Sequence, residues 1–213
     1  MARRFGPHVK TGRRGGMEIE GFSTARGGAV GALILFALAL AGCAQPPRQT
    51  FDLAGAVSAA RAAPLRSGPA LIVREPAAVQ PTGSDRVVVR DVDGSVSVLP
   101  GVQWSERLPR LFQNRLIEAM QRAGVPAGQI SLGATAALAT DIRRFEIDVA
   151  RSIAVVEIEA RLVSESNGAT RAAQLFTAEA PAPEHTGAPA VHALGEASAT
   201  VAARIAAWAR GRM

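Results

Sequence analysis

The sequence predicts an α+β fold, a two-layer sandwich in which two helices pack on a mostly antiparallel sheet of about five to six strands. Three observations lead to this prediction. Residues 105–123 and 189–210 repeat apolar side chains at intervals of three and four, the period of an amphipathic helix. Residues 144–162 alternate apolar and polar side chains, the period of a half-buried strand. Asp-Gly at 93–94 and Asn-Gly at 167–168 separate strand segments, as in hairpins.

The first part of the predicted domain contains only short strands. Residues 51–53 are predicted to begin the first strand, residues 54–69 to form a loop or a weak helix, and residues 71–73 to form a second strand. The β-rich runs RVVVR at 86–90 and SVSVL at 95–99 flank the Asp-Gly dipeptide. We therefore predict a hairpin there.

Residues 105–123 are predicted to form the first helix. Its apolar stripe consists of Leu108, Leu111, Phe112, Leu116, Met120 and Ala123. Proline is tolerated only in the first turn, which is where Pro109 would lie. Gly124 and Pro126 then end the helix, and residues 125–133 are predicted to be a loop.

The second half of the predicted domain is expected to form an antiparallel meander followed by a helix. Phe145, Ile147 and Val149 alternate with charged residues, and the same alternation continues over 154–162 after a turn near Arg151. The Asn-Gly turn leads to a third strand at 171–178, and residues 179–189 connect it to the last helix. That helix has the stripe Val191, Leu194, Ser198, Val201, Ile205 and Trp208. It is predicted to pack on the sheet, because the run is too short for the alternative, a sustained coiled coil.

The amino terminus, residues 1–42, is predicted to be a signal peptide. Its apolar run from 27 to 42 is shorter than the roughly 20 residues of a transmembrane helix. The run ends in the bacterial lipobox Leu40-Ala41-Gly42-Cys43. At such a motif the cysteine thiol receives a diacylglycerol, the chain is cut before the cysteine, and the new amino group is acylated. The alternative is a buried free cysteine at the end of a core helix.

The lipobox predicts where the protein is located. Residues 43–50 would form a lipidated tether and residues 51–213 a single periplasmic domain, with Met17 as a second candidate for the true start. Several acyl chains on Cys43 give a stable anchor. Aspartate after the cysteine retains many lipoproteins in the inner membrane, and residue 44 is Ala44. We therefore predict the periplasmic face of the outer membrane.

Charge and cysteine content exclude several classes of protein. The chain has 24 Lys and Arg against 18 Asp and Glu, a net charge of +6. Residues 1–42 hold six of these cations and two of the acids, so the remainder carries only +2. A domain so nearly neutral has no basic footprint for nucleic acid. The single cysteine excludes a disulfide framework and a multi-cysteine metal site.

Few residues suggest catalysis or metal binding. The sequence contains no Gly-rich phosphate loop, HExxH, GxSxG or CxxC motif, so we expect no enzyme, no metal and no cofactor beyond the acyl chains. His192 and Glu196 are either two metal ligands or a solvated pair, and His185 is expected to be exposed. Asp91 and Asp93 are either turn residues or a calcium loop that lacks its glutamate.

The sequence also predicts a set of ion pairs and two alternative roles for a tryptophan. Glu157 and Glu159 lie on the polar face of a predicted strand and are expected to pair with Arg144 and Arg161. Trp104, just before the first helix, is either a core residue that packs as a hydrophobic staple or an exposed anchor for a partner.

Two segments carry a resemblance to a known family. VQWSERL at 102–108 leads into the amphipathic helix, and TDIRRFE at 140–146 opens a hairpin. With the lipobox before them and an alanine-rich helix at the end, residues 51–210 resemble the ABC-type transport auxiliary lipoprotein family. This family includes the lipoprotein of the paraquat-inducible intermembrane transport system. The chain departs from it in lacking tyrosine, so that the YxL-like opening reads FDL at 51–53.

The resemblance implies a non-catalytic outer-membrane lipoprotein. Such a protein works with an ABC permease, an ATPase and an MCE-domain substrate-binding protein, which move phospholipid or other hydrophobic substrates between the membranes. Only Cys43 carries over as a defined site. Two alternatives stay open: a lipid-binding shuttle with a groove between helices and sheet, and an envelope assembly lipoprotein of the secretin-pilot or lipopolysaccharide-assembly kind.

Overall fold

A computed structural model describes residues 47–53, 63–64 and 70–213. The chain divides into two units, Met1–Gln45 and Pro46–Met213, and every described residue belongs to the second. The described elements are β1 (Gln49–Phe51), β2 (Leu71–Val73), β3 (Ala77–Ala78), β4 (Val88–Arg90), β5 (Val96–Val98), β6 (Val102–Trp104), α1 (Leu108–Arg122), β7 (Ala127–Gly128), β8 (Ala136–Asp148), β9 (Ile153–Ser164), β10 (Thr170–Pro181) and α2 (Gly187–Arg210). The predicted loop or weak helix at 54–69 lies almost entirely outside the described residues.

The predicted meander and hairpin are confirmed. β9 lies between β8 and β10 and pairs antiparallel with both. β4 and β5 pair antiparallel, with Val89 opposite Ser97. The two predicted turns use glycine at positive φ, +83° at Gly94 and +71° at Gly168. Residues with a Cβ rarely adopt these conformations. The Asp-Gly and Asn-Gly dipeptides therefore indicate hairpin turns.

The prediction of a mostly antiparallel sheet is wrong, because β8 has parallel partners along its second edge. β2, β3 and β4 pair parallel with successive parts of β8, and β7 pairs parallel with β2. The described residues form a mixed sheet of eight strands and a separate two-stranded sheet in which β1 and β6 are parallel. Hairpin signals are local, whereas strands of two or three residues carry too little pattern to identify a partner distant in sequence.

Both helices pack on one face of the sheet. Phe112 of α1 contacts Phe145 of β8 with ring centroids 6.3 Å apart, and Trp208 of α2 contacts Phe176 of β10 at 5.7 Å. Phe145 and Phe176 oppose β9 residues that are two positions apart, so their side chains share a face. All six residues of the predicted α2 stripe are buried. The α+β prediction with two helices on a sheet is therefore confirmed.

Several element boundaries differ from the prediction. α1 begins at Leu108, three residues late, which places Pro109 in the first turn. β1 begins two residues before the predicted strand, and α2 begins at Gly187. The predicted loop at 125–133 contains the two-residue strand β7. β10 continues to Pro181, so the connection to α2 is shorter than predicted.

One extra residue in β8 shapes the face of the sheet opposite the helices. The register shifts between Ile142 and Arg144, which oppose two adjacent residues of β9. A bulge of this kind lets two successive side chains share one face. Arg143 and Arg144 both bind carboxylates there, while Ile142 and Phe145 stay buried in the core. We call this opposite side the polar face.

Gly124 provides a test of how α1 ends. Its φ is +80°, and a Cβ at this position would lie 2.6 Å from the Pro64 carbonyl oxygen. Gly124→Ala should lower the free energy of unfolding by about 2–3 kcal/mol, since the left-handed conformation costs roughly 1–2 kcal/mol and the clash adds to it. Urea denaturation measures the loss.

Gly133→Ala is the matched control. Its φ is +76°, but nothing lies within 4 Å of the added Cβ. This variant should show only the conformational cost, about 1 kcal/mol. Equal losses at the two positions would contradict the role of the Pro64 contact.

Candidate functional site

The predicted lipid attachment site lies outside the described residues. This applies to Cys43 and to the lipobox residues Leu40, Ala41 and Gly42. The chain joins the fold where the Gln49 amide donates to the Gly101 carbonyl at 2.8 Å. Gln49 follows Cys43 by six residue steps, a reach of at most about 20 Å. Within the described ranges no helix is both long and apolar enough to cross a membrane.

Trp104 lies in the core, and of its two predicted roles the structure supports the core residue and not the exposed anchor. Its side chain is 1% exposed, and its ring contacts that of Phe145 edge-on at 5.9 Å. The indole N–H has no acceptor among the described residues. A side chain this deeply buried offers no surface to a partner, so the structure places Trp104 away from any docking site.

The polar face carries a network of arginine–carboxylate pairs. Glu159 accepts hydrogen bonds from Arg143 and Arg161, the latter at 3.2 Å, and the Arg143 bond holds the pKa of Glu159 below its usual range. The predicted pairing of Glu159 with Arg161 is therefore confirmed. The prediction for Arg144 is wrong: it binds Glu146 at 2.7 Å and Asp148 at 3.3 Å on its own strand.

Glu146 is buried at the centre of this network. It is 4% exposed and accepts hydrogen bonds from Arg90 at 2.8 and 3.1 Å, in addition to the bond from Arg144. The bond and charge of Glu146 raise the pKa of Arg90 above its ordinary value. One carboxylate thus links β4 to β8 and accepts hydrogen bonds from two guanidinium groups.

Removing the charge of Glu146 should destabilise the fold. Glu146→Gln removes the carboxylate partner of Arg90 and leaves Arg144 only its longer contact to Asp148. We expect a loss of about 2 kcal/mol, less than for a fully buried pair because both arginines are partly solvated. The control is Glu179→Gln, whose partner Arg151 is half exposed, with an expected loss below about 1 kcal/mol. Equal thermal stability of the two variants would contradict a central role for Glu146.

The remaining sequence candidates form no metal-binding cluster in the part of the chain that the structure describes. No three His, Cys, Asp or Glu side chains in those ranges could together hold a metal ion. His192 packs edge-on against Phe51 with ring centroids 6.2 Å apart. His185 shares a hydrogen bond of 3.1 Å with a serine hydroxyl. Asp91 and Asp93 shape the β4–β5 turn through hydrogen bonds, as turn residues do.

A cleft at the C-terminal end of α1 was not predicted. Its volume is about 640 Å³. Its walls include the apolar residues Ala63, Ala70, Pro126 and Ala127 and the charged residues Glu118 and Arg122. An open pocket of this size is within the range that binds small ligands.

Arg115 precedes the lining residue Glu118 by about one helical turn and contacts it. It is 2% exposed, its Nη1 is 3.6 Å from the Glu118 Oε2, and none of its side-chain nitrogens has a hydrogen-bond partner among the described residues. Burial lowers the pKa of Arg115, and the charge of Glu118 partly offsets this. Arg122 Nη2 lies 3.7 Å from the same carboxylate oxygen. Sequence reasoning missed Arg115, although its four-residue spacing from the buried residues Leu111 and Ala119 is a signal that could have found it.

Comparisons with known proteins identify the fold and the family. Residues 51–206 match the family model of the ABC-type transport auxiliary lipoprotein component. A solved protein from Xanthomonas campestris, of a domain family of unknown function, is 25% identical with a TM-score of 0.64, covering 70% of this chain and 90% of that one. An uncharacterised protein is 19% identical with a TM-score of 0.61, covering 76% of this chain and 98% of that one. No curated protein matches the chain.

The family match confirms the resemblance carried by residues 102–108 and 140–146. It extends from Phe51 in β1 almost to the end of α2 and therefore includes the sheet and both helices. The chain belongs to the family of ABC-type transport auxiliary lipoprotein components.

Proposed function

We propose that this protein is an outer-membrane lipoprotein of the periplasmic face that serves an ABC transport system as a non-catalytic docking component. The family match over residues 51–206 carries the proposal, because the family is defined by association with ABC-type transport. We add the identity of the partners: an MCE-domain protein with its permease and ATPase. Their substrate would be phospholipid or another hydrophobic molecule moving between the two membranes.

The proposed location rests on the lipobox. Acylation of Cys43 would fix the chain in a membrane, and Ala44 in place of aspartate favours the outer membrane. Because Gln49 already belongs to β1, the start of this strand would stay within about 20 Å of the anchor. A domain held so close to one membrane is suited to receive a partner that extends from the other.

The loop between β7 and β8 is the surface that we assign to the MCE-domain protein. Ile130 is 87% exposed and Leu132 is 98% exposed. Burying each of these side chains in a partner would contribute about 2 kcal/mol. Two large apolar residues so close together therefore offer a compact anchor for a protein with an apolar pocket.

Site-specific photo-cross-linking in intact cells tests this assignment. A photoactivatable residue at Leu132 should cross-link to an MCE-domain protein, identified by mass spectrometry. The same residue at Val92, which is 75% exposed on the β4–β5 turn, is the control and should give no such product. Capture of an outer-membrane pore with no MCE-domain protein would overturn the proposal and favour the envelope assembly alternative.

A further inference from the structure

The outer strand β5 carries two exposed valines near the point where the tether joins the fold. Val96 is 46% exposed and Val98 is 41% exposed, and because they are two positions apart their side chains lie on the same side of the strand. We propose that these two residues, which we call the valine edge, rest on the headgroup region of the bilayer that holds the acyl anchor. This inference deepens the proposed function and rests on it, because the bilayer is the one that an acylated Cys43 would enter.

The outer strands β5 and β10 differ in how their free edges are protected. Within the described ranges β5 pairs with β4 only, and β10 pairs with β9 only. Along β10, Arg204 of α2 donates to the Thr177 carbonyl at 2.8 Å, and Pro181 has no N–H to offer. Residues 95–99 read SVSVL and contain neither a charge nor a proline. Natural sheets rarely leave such an apolar edge bare, so we expect the valine edge to be covered.

The tether favours the bilayer as this cover. The Gln49 amide donates to the Gly101 carbonyl at 2.8 Å. Gly101 follows Val98 by three residue steps, which span at most about 11 Å. Gln49 in turn follows Cys43 by six steps, at most about 20 Å. An acylated Cys43 would therefore hold the valine edge near the membrane surface at all times, whereas a protein would have to reach it from solution.

A weak contact is sufficient, because the anchor already brings the two surfaces together. Two half-exposed valines bury too little apolar area to hold a protein on a membrane by themselves. The tether makes their contact with the bilayer intramolecular, so its effective concentration is high. Arg48, exposed just before β1, adds attraction to anionic headgroups. The acyl chains would thus hold the domain, and the valine edge would orient it.

The backbone of β5 limits the depth of the contact. The Leu99 amide donates to the Val87 carbonyl on the side of β4. Backbone groups alternate in direction along an antiparallel strand, so those of Val96 and Val98 point away from β4. Backbone groups without partners are not tolerated in hydrocarbon. The valine edge therefore stays among the headgroups, where water and phosphate oxygens accept from its N–H groups.

The β4–β5 turn stays in water and marks the boundary of the contact. Val92 is 75% exposed, but it lies between Asp91 and Asp93. Hydrogen bonds from Ser95 hold the pKa of Asp93 below its usual range, so this carboxylate stays charged near neutral pH. Anionic headgroups repel such a charge. Val92 is thus an exposed valine of the same hairpin that should not touch the membrane.

The valine edge and the β7–β8 loop lie at opposite ends of β8. β4, the neighbour of β5, pairs with β8 from Glu146 onward, whereas the loop ends where β8 begins, at Ala136. Ten residue steps of strand separate these two positions, about 30 Å. A membrane contact at β5 therefore leaves Leu132 free for the MCE-domain protein.

Spin labels on the full-length acylated protein test the contact. The protein is reconstituted into vesicles of phosphatidylethanolamine and phosphatidylglycerol with one nitroxide, attached through Val98→Cys, Val92→Cys or Leu175→Cys. Acylation of the single native cysteine leaves the introduced thiol as the only one. The ratio of accessibility to oxygen, which concentrates in the bilayer, over accessibility to a water-soluble nickel chelate should be several-fold higher at residue 98. Leu175, 54% exposed on β10, and Val92 are the controls.

Flotation of the vesicles on a density gradient separates failure of this contact from failure of the anchor. Equal ratios at the three positions, in protein that floats with the vesicles, would overturn the contact and leave the anchor intact. Protein that does not float would refute the anchor and, with it, this proposal. Low accessibility of residue 98 to both reagents would show that a second copy of the chain covers β5, which also overturns the proposal.

An acidic substitution in the valine edge provides an independent test. Val96→Asp should lower the ratio at a label on residue 98 to the value at residue 175, because anionic headgroups repel the carboxylate. Val92→Asp, in a turn that already has two acids, is the matched control and should leave the ratio unchanged. Thermal unfolding checks that each variant is folded, and Val96→Ser, which adds no charge, should lower the ratio part of the way. An unchanged ratio in both Val96 variants would contradict the proposal.

Discussion

Replacing Cys43 by alanine is expected to remove the protein from the outer membrane. Without the thiol no diacylglycerol can be attached, and the chain cannot be processed as a lipoprotein. The variant should be found in the soluble fraction or retained in the inner membrane. Density-gradient fractionation of envelopes, with detection of the protein in each fraction, measures the change.

The size of this effect follows from the number of acyl chains. One chain gives only marginal, reversible binding, whereas two or more give stable anchoring. If Cys43 is acylated as the lipobox predicts, we expect the acyl chains to decide the location almost completely. Ala44→Asp is the matched control: it keeps the acyl chains and should move the protein toward the inner membrane. Normal outer-membrane fractionation of the Cys43→Ala variant would refute the anchor.

Replacing Trp104 by alanine is expected to cost about 3–5 kcal/mol of unfolding free energy. The side chain is 1% exposed, and its loss opens a cavity beside Phe145, between the sheet and the start of α1. A single domain often has only 5–15 kcal/mol of stability, so the variant should be near the limit of folding. Urea denaturation of purified protein gives the value.

Trp104→Phe separates the packing of the ring from its N–H group. Phenylalanine keeps an edge-on contact with Phe145 and removes an indole N–H that has no acceptor among the described residues. The loss should therefore be clearly smaller than for alanine. If Trp104→Ala kept full stability but lost a binding partner, the exposed-anchor alternative would be correct and the core assignment wrong.

The sequence predicted the parts of the fold that have a long, regular pattern. β8 has 13 residues and β9 has 12, long enough for the alternation of apolar and polar side chains to be recognised, and the α2 stripe from Val191 to Trp208 has one consistent period. The parallel partners of β8 have no such pattern. β3 contains only Ala77 and Ala78, whose side chains favour no particular face. Their pairing is decided by tertiary structure alone.

The same contrast explains what could be predicted of the sites. Cys43 belongs to a motif whose chemistry requires that residue, so the motif alone predicts the lipid attachment site. Arg115 was hidden in an apolar stripe, and only its burial and its distance from Glu118 show that it is unusual. Arg144 was assigned to the neighbouring strand because cross-strand pairs are the usual partners. Arg144 does lie opposite Glu157 in the register, but its guanidinium binds Glu146 and Asp148, two and four residues along its own strand.

The arrangement around β8 determines when the domain can fold during synthesis. The chain emerges from the ribosome amino terminus first, yet β2, β3 and β4 all pair with β8, which is made much later. Strands of two or three residues do not persist without partners. The first half of the domain must therefore stay unfolded until residue 148 has been made. Nascent chains that stop before β8 should be fully accessible to proteases, and protection should be gained late and in one step.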